Sequence, residues 1–265
     1  MQHTTIRDVI RVIENVFPPH YQEDYDNTGL QLGDPARSCS GVLVCVDVTT
    51  DIIDEARQNG CNLIVAHHPL IFHPLKRITS AGRVDNAICQ AIKDDIAIYA
   101  CHTSADNTPL VGVSWKMGQM LGLSDIQVLE HRDNTNIGSG IVGNLPQPLS
   151  CRQLVEKVKA TFHAPVARCS ALTPADALIS RIALCGGAGS FLLPTAIDSG
   201  AQAFIASDCK HNNFIDHAKS IFLVDIGHFE SEECTKQIFY QLIRENFPNF
   251  AVRYSQIEKN PIIYL

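Results

Sequence analysis

The chain has 265 residues, 45% apolar and 18% charged, with a formal net charge of −7. That is enough apolar content for one large core or two modest ones, and too little charge and low-complexity text for an extended disordered protein. The acidic balance argues against nucleic acid as a partner, and no run of about eighteen apolar residues marks a membrane span.

In chain order, Thr5 to Phe17 carries Ile6, Val9, Ile10, Ile13 and Val16 at helical spacing, and Pro18-Pro19 ends the helix. The start, Met1 to Thr5, shows no basic stretch followed by an apolar one, so no signal peptide is expected. A polar loop, Asp26-Asn27-Thr28-Gly29-Leu30-Gln31-Leu32-Gly33, comes next. Gly41 to Val48 reads as a strand, and Thr49-Thr50-Asp51 caps a helix that runs to Gln58 and stops at Gly60. Leu63 to Ala66 is a further strand and ends in His67-His68-Pro69. A helix over Ala81–Lys93, a strand over Ile96–Cys101 and a helix carrying Val113, Met117, Met120 and Leu121 follow. Strands alternating with helices at this spacing predict βαβ crossovers and a largely parallel sheet.

From Ser124 to Asn136 the text turns polar and loses its period, which marks a boundary or hinge. A second α/β set follows: strand Ile137–Leu145, helix Cys151–Phe162, strand Arg181–Cys185 leading into Gly186-Gly187-Ala188-Gly189-Ser190, and strand Ala201–Ala206. It closes with helix His211–Lys219, strand Ile221–Ile226 and a final helix over Glu232–Asn246; Ile262–Leu265 can add an edge strand. Cys45, Cys61, Cys101 and Cys185 lie in apolar runs and no Cys-x-x-Cys pair occurs. Buried free thiols in a reducing cytoplasm are therefore expected.

The chemistry concentrates at strand ends, where open parallel sheets place their functional loops. His67 and His68 close one strand, Asp106 follows a second, and His228 with Glu232 follows a third. Imidazoles and carboxylates in this combination suit Zn, Mn, Fe or a similar divalent ion better than a thiolate site does. Adjacent side chains on an extended strand point to opposite faces, so both histidines can serve one site only if the chain turns near Pro69, or if the site holds two ions. His228 and Glu232, four residues apart, share one face of a helix, and Glu232 is the expected bridge between two ions.

Other residues carry two readings each. His102 is a strand-end histidine bonded to backbone or a group that orients a ligand. His211 and His73 are acid/base candidates or ordinary surface histidines. Asp208 is expected to cap a helix. Lys76 and Arg77 are a solvated pair or contacts for an anionic substrate. The glycine run at 186–190 is a plain βα turn or, through free N–H groups, a phosphate cradle. It lacks the Lys-Ser/Thr of a P-loop.

Taken together, Asp26 to Gly33, Ala66-His67-His68-Pro69-Leu70-Ile71-Phe72, His102-Thr103-Ser104-Ala105-Asp106-Asn107, Cys185 to Ser190 and Asp225-Ile226-Gly227-His228-Phe229-Glu230-Ser231-Glu232 resemble one family. It is the GTP cyclohydrolase 1 type 2 homologue family, also named after the Ngg-one-interacting factor three. The segments occur in the family's order. Ser104 stands where an Asn is usual, and Ser207-Asp208 replaces the common Gly-Asp. The resemblance implies two α/β domains, the first completed by the C-terminal segment: residues 1–125 with 226–265, and residues 126–225. It implies a dinuclear centre held by His67, His68, Asp106, His228 and Glu232, and commonly a hexameric ring.

The expected function is a metal-dependent hydrolase of a small molecule, with His102 and His211 as the catalytic candidates. The family's name makes GTP the substrate, through hydrolytic opening of the guanine imidazole ring; another nucleotide or phosphoester would use the same donors. The alternative is a metal-binding scaffold without catalysis.

Overall fold

The computed structural model describes residues 4–133, 135–171, 177–217 and 219–265. Residues 1–3, position 134 of the polar segment and position 218 near the end of the expected His211–Lys219 helix lie outside the described residues. The chain is α/β and divides into two compact units: residues up to Ala105 with Thr235–Lys259, and Asp106–Cys234 with Asn260–Leu265.

The first unit opens on α1 (Ile6–Val16), started by a reciprocal capping box between Thr5 and Asp8. Then come β1 (Gly29–Leu32), β2 (Val42–Cys45), α2 (Thr50–Gln58), β3 (Leu63–Ala66), α3 (Arg83–Asp94), β4 (Ala97–Ala100) and the single turn α4 (Thr103–Asp106). From the far end of the sequence come most of α10 (Cys234–Asn246) and β11 (Val252–Tyr254). The five strands lie in the order β1-β4-β3-β2-β11, parallel except for β1. Leu43, Cys45, Ile64, Ala66 and Ile98 pack with Ile52, Ile53, Ile88 and Ala91 of α2 and α3. Four-residue strands buried along their whole length explain the unbroken apolar runs of the sequence.

The C-terminal segment is fastened to this sheet by polar contacts. The N–H groups of Val46 and Asp47 both donate to Glu258 Oε1 at 2.8 Å. Glu258 also pairs with Lys236 at 3.2 Å. Ser255 Oγ and the N–H of Gln256 donate to the buried carboxylate of Glu55.

The second unit contains α5 (Val113–Leu121), β5 (Ser124–His131), β6 (Gly138–Ser150), α6 (Cys151–Thr161), β7 (Arg168–Cys169), β8 (Leu178–Ala188), α7 (Leu193–Asp198), β9 (Ala203–Ser207), α8 (His211–His217), β10 (Phe222–Asp225) and α9 (His228–Glu232). The strand order is β5-β6-β8-β9-β10-β7. Its core joins Val142, Ala183, Phe204, Ala206 and Leu223 to Leu192, Leu193 and Ala196 beside and within α7.

Three expectations are corrected here. The polar stretch from Ser124 is no hinge but an edge strand: β5 buries Val128 and Leu129 and leaves its polar residues outward. The second sheet is parallel only across β8-β9-β10, and β5, β6 and β7 pair antiparallel. The β5–β6 connection is too short for a crossover. The expected final helix is α10, and His228 and Glu232 share the short helix α9 that precedes it. Ile262–Leu265 form no strand; β11 takes that edge of the first sheet. The two units meet in the sequence at Ala105/Asp106 and Cys234/Thr235. At Gly118 a Cβ would lie 2.5 Å from Ile141 Cδ1, so α5 sits closely on β6.

All ten cysteines are free thiols; Cys39, Cys45, Cys61, Cys101, Cys151, Cys185 and Cys209 are buried. Among the described residues no helix is long and apolar enough to cross a membrane.

Candidate metal centre

In the first unit the chain bends directly after β3, and both histidines turn the same way. The ring centroids of His67 and His68 are 4.9 Å apart, and His102 lies 5.3 and 5.4 Å from them. Each of the three offers a ligand atom, and these atoms all lie within 4.8 Å of one another. His67 is fully buried; His68 and His102 are half-buried. Backbone bonds from the N–H of His67 to Cys45 O and of His68 to Val46 O extend the β2–β3 ladder and set the direction of the bend.

Every imidazole of this group has its Nδ1 against an acceptor. His67 Nδ1 donates to Cys101 O at 3.1 Å, His68 Nδ1 to Asp47 Oδ1 at 3.1 Å, and His102 Nδ1 to Asp26 Oδ1 at 2.8 Å. A carbonyl or carboxylate accepts only, so Nδ1 carries the hydrogen and the lone pair is on Nε2. Asp26 is fixed in turn by the N–H of Asn27, the N–H and hydroxyl of Thr103 and the hydroxyl of Thr28. Burial raises the Asp26 carboxyl, but the Nδ1–H bond and electrostatic attraction of His102, with Thr103 and Asn27, outweigh it and hold the acid well below its ordinary range.

The loop holding Asp26 also positions the histidine loop. Asn27 Nδ2 donates to Ile71 O at 2.6 Å, and the N–H of Ile71 donates to Gln31 Oε1 at 3.2 Å. Ser104 Oγ lies 3.3 Å from the Thr28 hydroxyl and 3.4 Å from Cys101 Sγ.

In the second unit His228 and Glu232 occupy opposite ends of α9. His228 Nδ1 donates to Asp208 Oδ2 at 2.6 Å, and His228 Nε2 faces Glu232 Oε2 at 2.9 Å. With Nδ1 holding the ring hydrogen, Nε2 and the carboxylate oxygen are two acceptors that approach this closely across a shared proton or a shared cation. Asp106 lies in the same unit, in neither of the close groups of ligand atoms found among the described residues. Its charge and that of Glu232 both act on two neighbouring thiols: burial and these carboxylates push Cys185 well up and Cys234 up to about 12. A carboxylate facing an oriented imidazole suits a divalent cation of the Zn, Mn or Fe kind, so His228 and Glu232 fit such a group.

The glycine run proves to be the end of β8 and not a helix start. The N–H of Gly186 donates to Ser114 Oγ and that of Gly187 to Ser231 Oγ, so neither is left for a phosphate. Asp208 is also not a cap. It lies past β9 in the left-handed region, φ 53°, and orients His228. His211, at the start of α8, and His73, Lys76 and Arg77, in the loop after β3, are exposed. Among the described residues no group of close ligand atoms joins His211 to the other imidazoles. Asp26, Asp47 and Asp208 have roles that pattern reading misses. The available signal was position, since each carboxylate lies in a loop or just past a strand end.

An α/β fold of two mixed-sheet units, with imidazoles and carboxylates oriented at its strand ends, defines a protein with candidate metal-ligand groups. The chain belongs to the Duf34/NIF3 (NGG1p interacting factor 3) family, whose profile matches residues 4–261. It is 32% identical over 264 residues to a Lactococcus lactis protein named GTP cyclohydrolase 1 type 2 homolog, covering 97% of this chain and 98% of the relative. A Clostridium acetobutylicum protein of the same name is 29% identical, with 86% and 85% covered. The fold matches a Staphylococcus aureus hypothetical protein at TM-score 0.93 and 25% identity, and a Bacillus cereus protein related to NIF3 at 0.92 and 24%; both matches cover 100% of each chain.

Proposed function

We propose that the chain is a divalent-metal-dependent hydrolase, with His67, His68, Asp106, His228 and Glu232 as the ligands of two ions. The observation that carries this reading is the common orientation of the imidazoles. His67, His68 and His228 each direct Nδ1–H at a carbonyl or carboxylate, the tautomer that leaves Nε2 to coordinate a cation. Such ions, when bound, make water nucleophilic near neutral pH and stabilise negative charge developing on oxygen.

The chain's own residues supply the rest. Asp208 and Asp47 hold two of the ligand rings in place. His102, backed by Asp26, keeps Nε2 as a proton acceptor beside His67 and His68, which suits it to move a proton between water and a leaving group. His211 remains a second candidate for that role. The relatives' name supports GTP as the substrate, through hydrolytic opening of the guanine imidazole ring, with other nucleotides and phosphoesters as the wider class. A homohexameric ring in the cytoplasm belongs to the same proposal, and ten free thiols fit a reducing compartment.

Metal analysis of protein purified without chelators tests it. About two ions per chain are expected, with loss in His67→Ala and in Glu232→Ala. A wild-type protein free of metal sinks the reading. A fully loaded protein that turns over neither GTP nor any other nucleotide or phosphoester favours the scaffold alternative.

A further inference from the structure

Beside the three imidazoles of the first unit stand two aromatic rings that packing alone does not explain. Phe72 is 37% and Tyr25 64% exposed. Their centroids are 6.4 Å apart with the planes inclined at 48°, and Phe72 lies 6.1 Å from His102, nearly edge-on at 72°. A single exposed aromatic is unremarkable on a protein surface. Here two are held as a pair, because the loops that carry them are tied together. Asn27, two residues after Tyr25, bonds Ile71 O, and Gln31 bonds both the N–H of Ile71 and, through Nε2, Asn27 O. The rings are therefore presented on a clamped frame.

We propose that Tyr25 and Phe72 form a stacking platform for a planar heteroaromatic ring, the nucleobase of the substrate. This rests on the hydrolase reading above and names the substrate class of that site. Flat rings gain most from offset or edge-to-face contact at centroid separations of about 4.5–7 Å, the spacing at which these two rings already stand. An aliphatic substrate has no π-face to set against them. The place matters as much as the chemistry. A ring seated on Phe72 lies beside His102, the side chain assigned to proton movement, so the platform delivers the ring to the reacting groups. Tyr25 adds a hydroxyl that can meet the polar edge of such a ring.

Equilibrium binding to the full chain decides it, with guanosine, GTP and inorganic tripolyphosphate as probes and metal content measured on the same samples. Phe72→Ala should weaken guanosine and GTP by about tenfold or more, the usual effect of removing a stacked aromatic, and leave tripolyphosphate unchanged. Tyr25→Ala should act in the same direction, and Phe72→Tyr should retain wild-type affinity. Equal guanosine affinity in wild type and Phe72→Ala overturns the platform, as does a wild type that binds no guanosine. A change of sedimentation in Phe72→Ala without change in guanosine binding also overturns it, making the rings a contact between copies. Guanosine binding that depends on Phe72 in a wild type without metal keeps the platform and removes the metal reading.

Discussion

Gly187 makes room for the carboxylate of Glu232: a Cβ at position 187 would lie 2.0 Å from Glu232 Oε1 and 3.5 Å from His228 Cε1. The backbone there is left-handed, φ 66°, and the N–H of Gly187 is bonded to Ser231 in the same helix turn. Gly187→Ala therefore meets two costs. The left-handed conformation costs about 1–2 kcal/mol for a residue with a Cβ, and the methyl displaces the carboxylate. The first cost should lower the melting temperature in chelator as well as in metal. The second should appear only with metal, as retention weakened at least about tenfold. Melting curves with and without chelator, together with a metal titration, separate the two. Unchanged metal affinity would mean that Glu232 is not a ligand.

Asp26 gives a pH signature. Its carboxyl is held below the ordinary range, so near acid pH the folded chain binds fewer protons than the unfolded one, and stability rises with pH. The contribution is complete above the unfolded value of about 4 and is lost as pH falls from there through the folded value. The wild type should exceed Asp26→Asn in stability at pH 7, and the gap should close in more acidic solution. Denaturant midpoints of both proteins at several pH values check this. A gap of constant size would show that Asp26 acts by shape and not by charge.

Much of this was legible before any coordinates. The buried runs at Leu63–Ala66 and Phe222–Asp225 appear as strands, and the donor residues stand just past strand ends, because four-residue strands buried on both faces leave an unbroken apolar text. Periodicity fails where burial is one-sided or short. β5 is an edge strand whose polar face reads as loop. Asp47 and Asp208 were invisible as orienting groups, since their partners, His68 and His228, lie 21 and 20 residues away in sequence. Asp208 looked like a cap because a carboxylate ahead of a helix usually is one.

Ser207, next to Asp208, is fully buried, and its hydroxyl has no hydrogen-bond partner among the described residues. An unsatisfied buried hydroxyl costs about 1–3 kcal/mol, while the methyl of alanine fills nearly the same space. Ser207→Ala should be neutral or stabilising by about 1 kcal/mol in urea unfolding. A clear loss of stability would show that the hydroxyl has a bonded partner, such as a buried water.

The buried pair of Lys236 and Glu258 bears on both stability and the site. Burial raises the Glu258 carboxyl, and the N–H groups of Asp47 and Val46 together with Lys236 pull it back. Lys236→Met removes the cation and leaves that carboxylate buried, a change of about 3–5 kcal/mol for such pairs. The double variant with Glu258→Gln should recover much of this. The sign with pH follows from the raised carboxyl. Without Lys236 it rises further, the folded state then holds more protons than the unfolded one, and stability falls as pH climbs from the unfolded value toward the folded one. Lys236→Met should thus be closest to wild type near pH 4 and furthest from it at pH 7. Because Glu258 also holds the N–H of Asp47, whose carboxylate orients His68, the same variant should weaken metal retention at neutral pH. Urea midpoints and metal titration on the four proteins of the cycle measure both effects, and a cycle with no coupling between 236 and 258 would refute the argument.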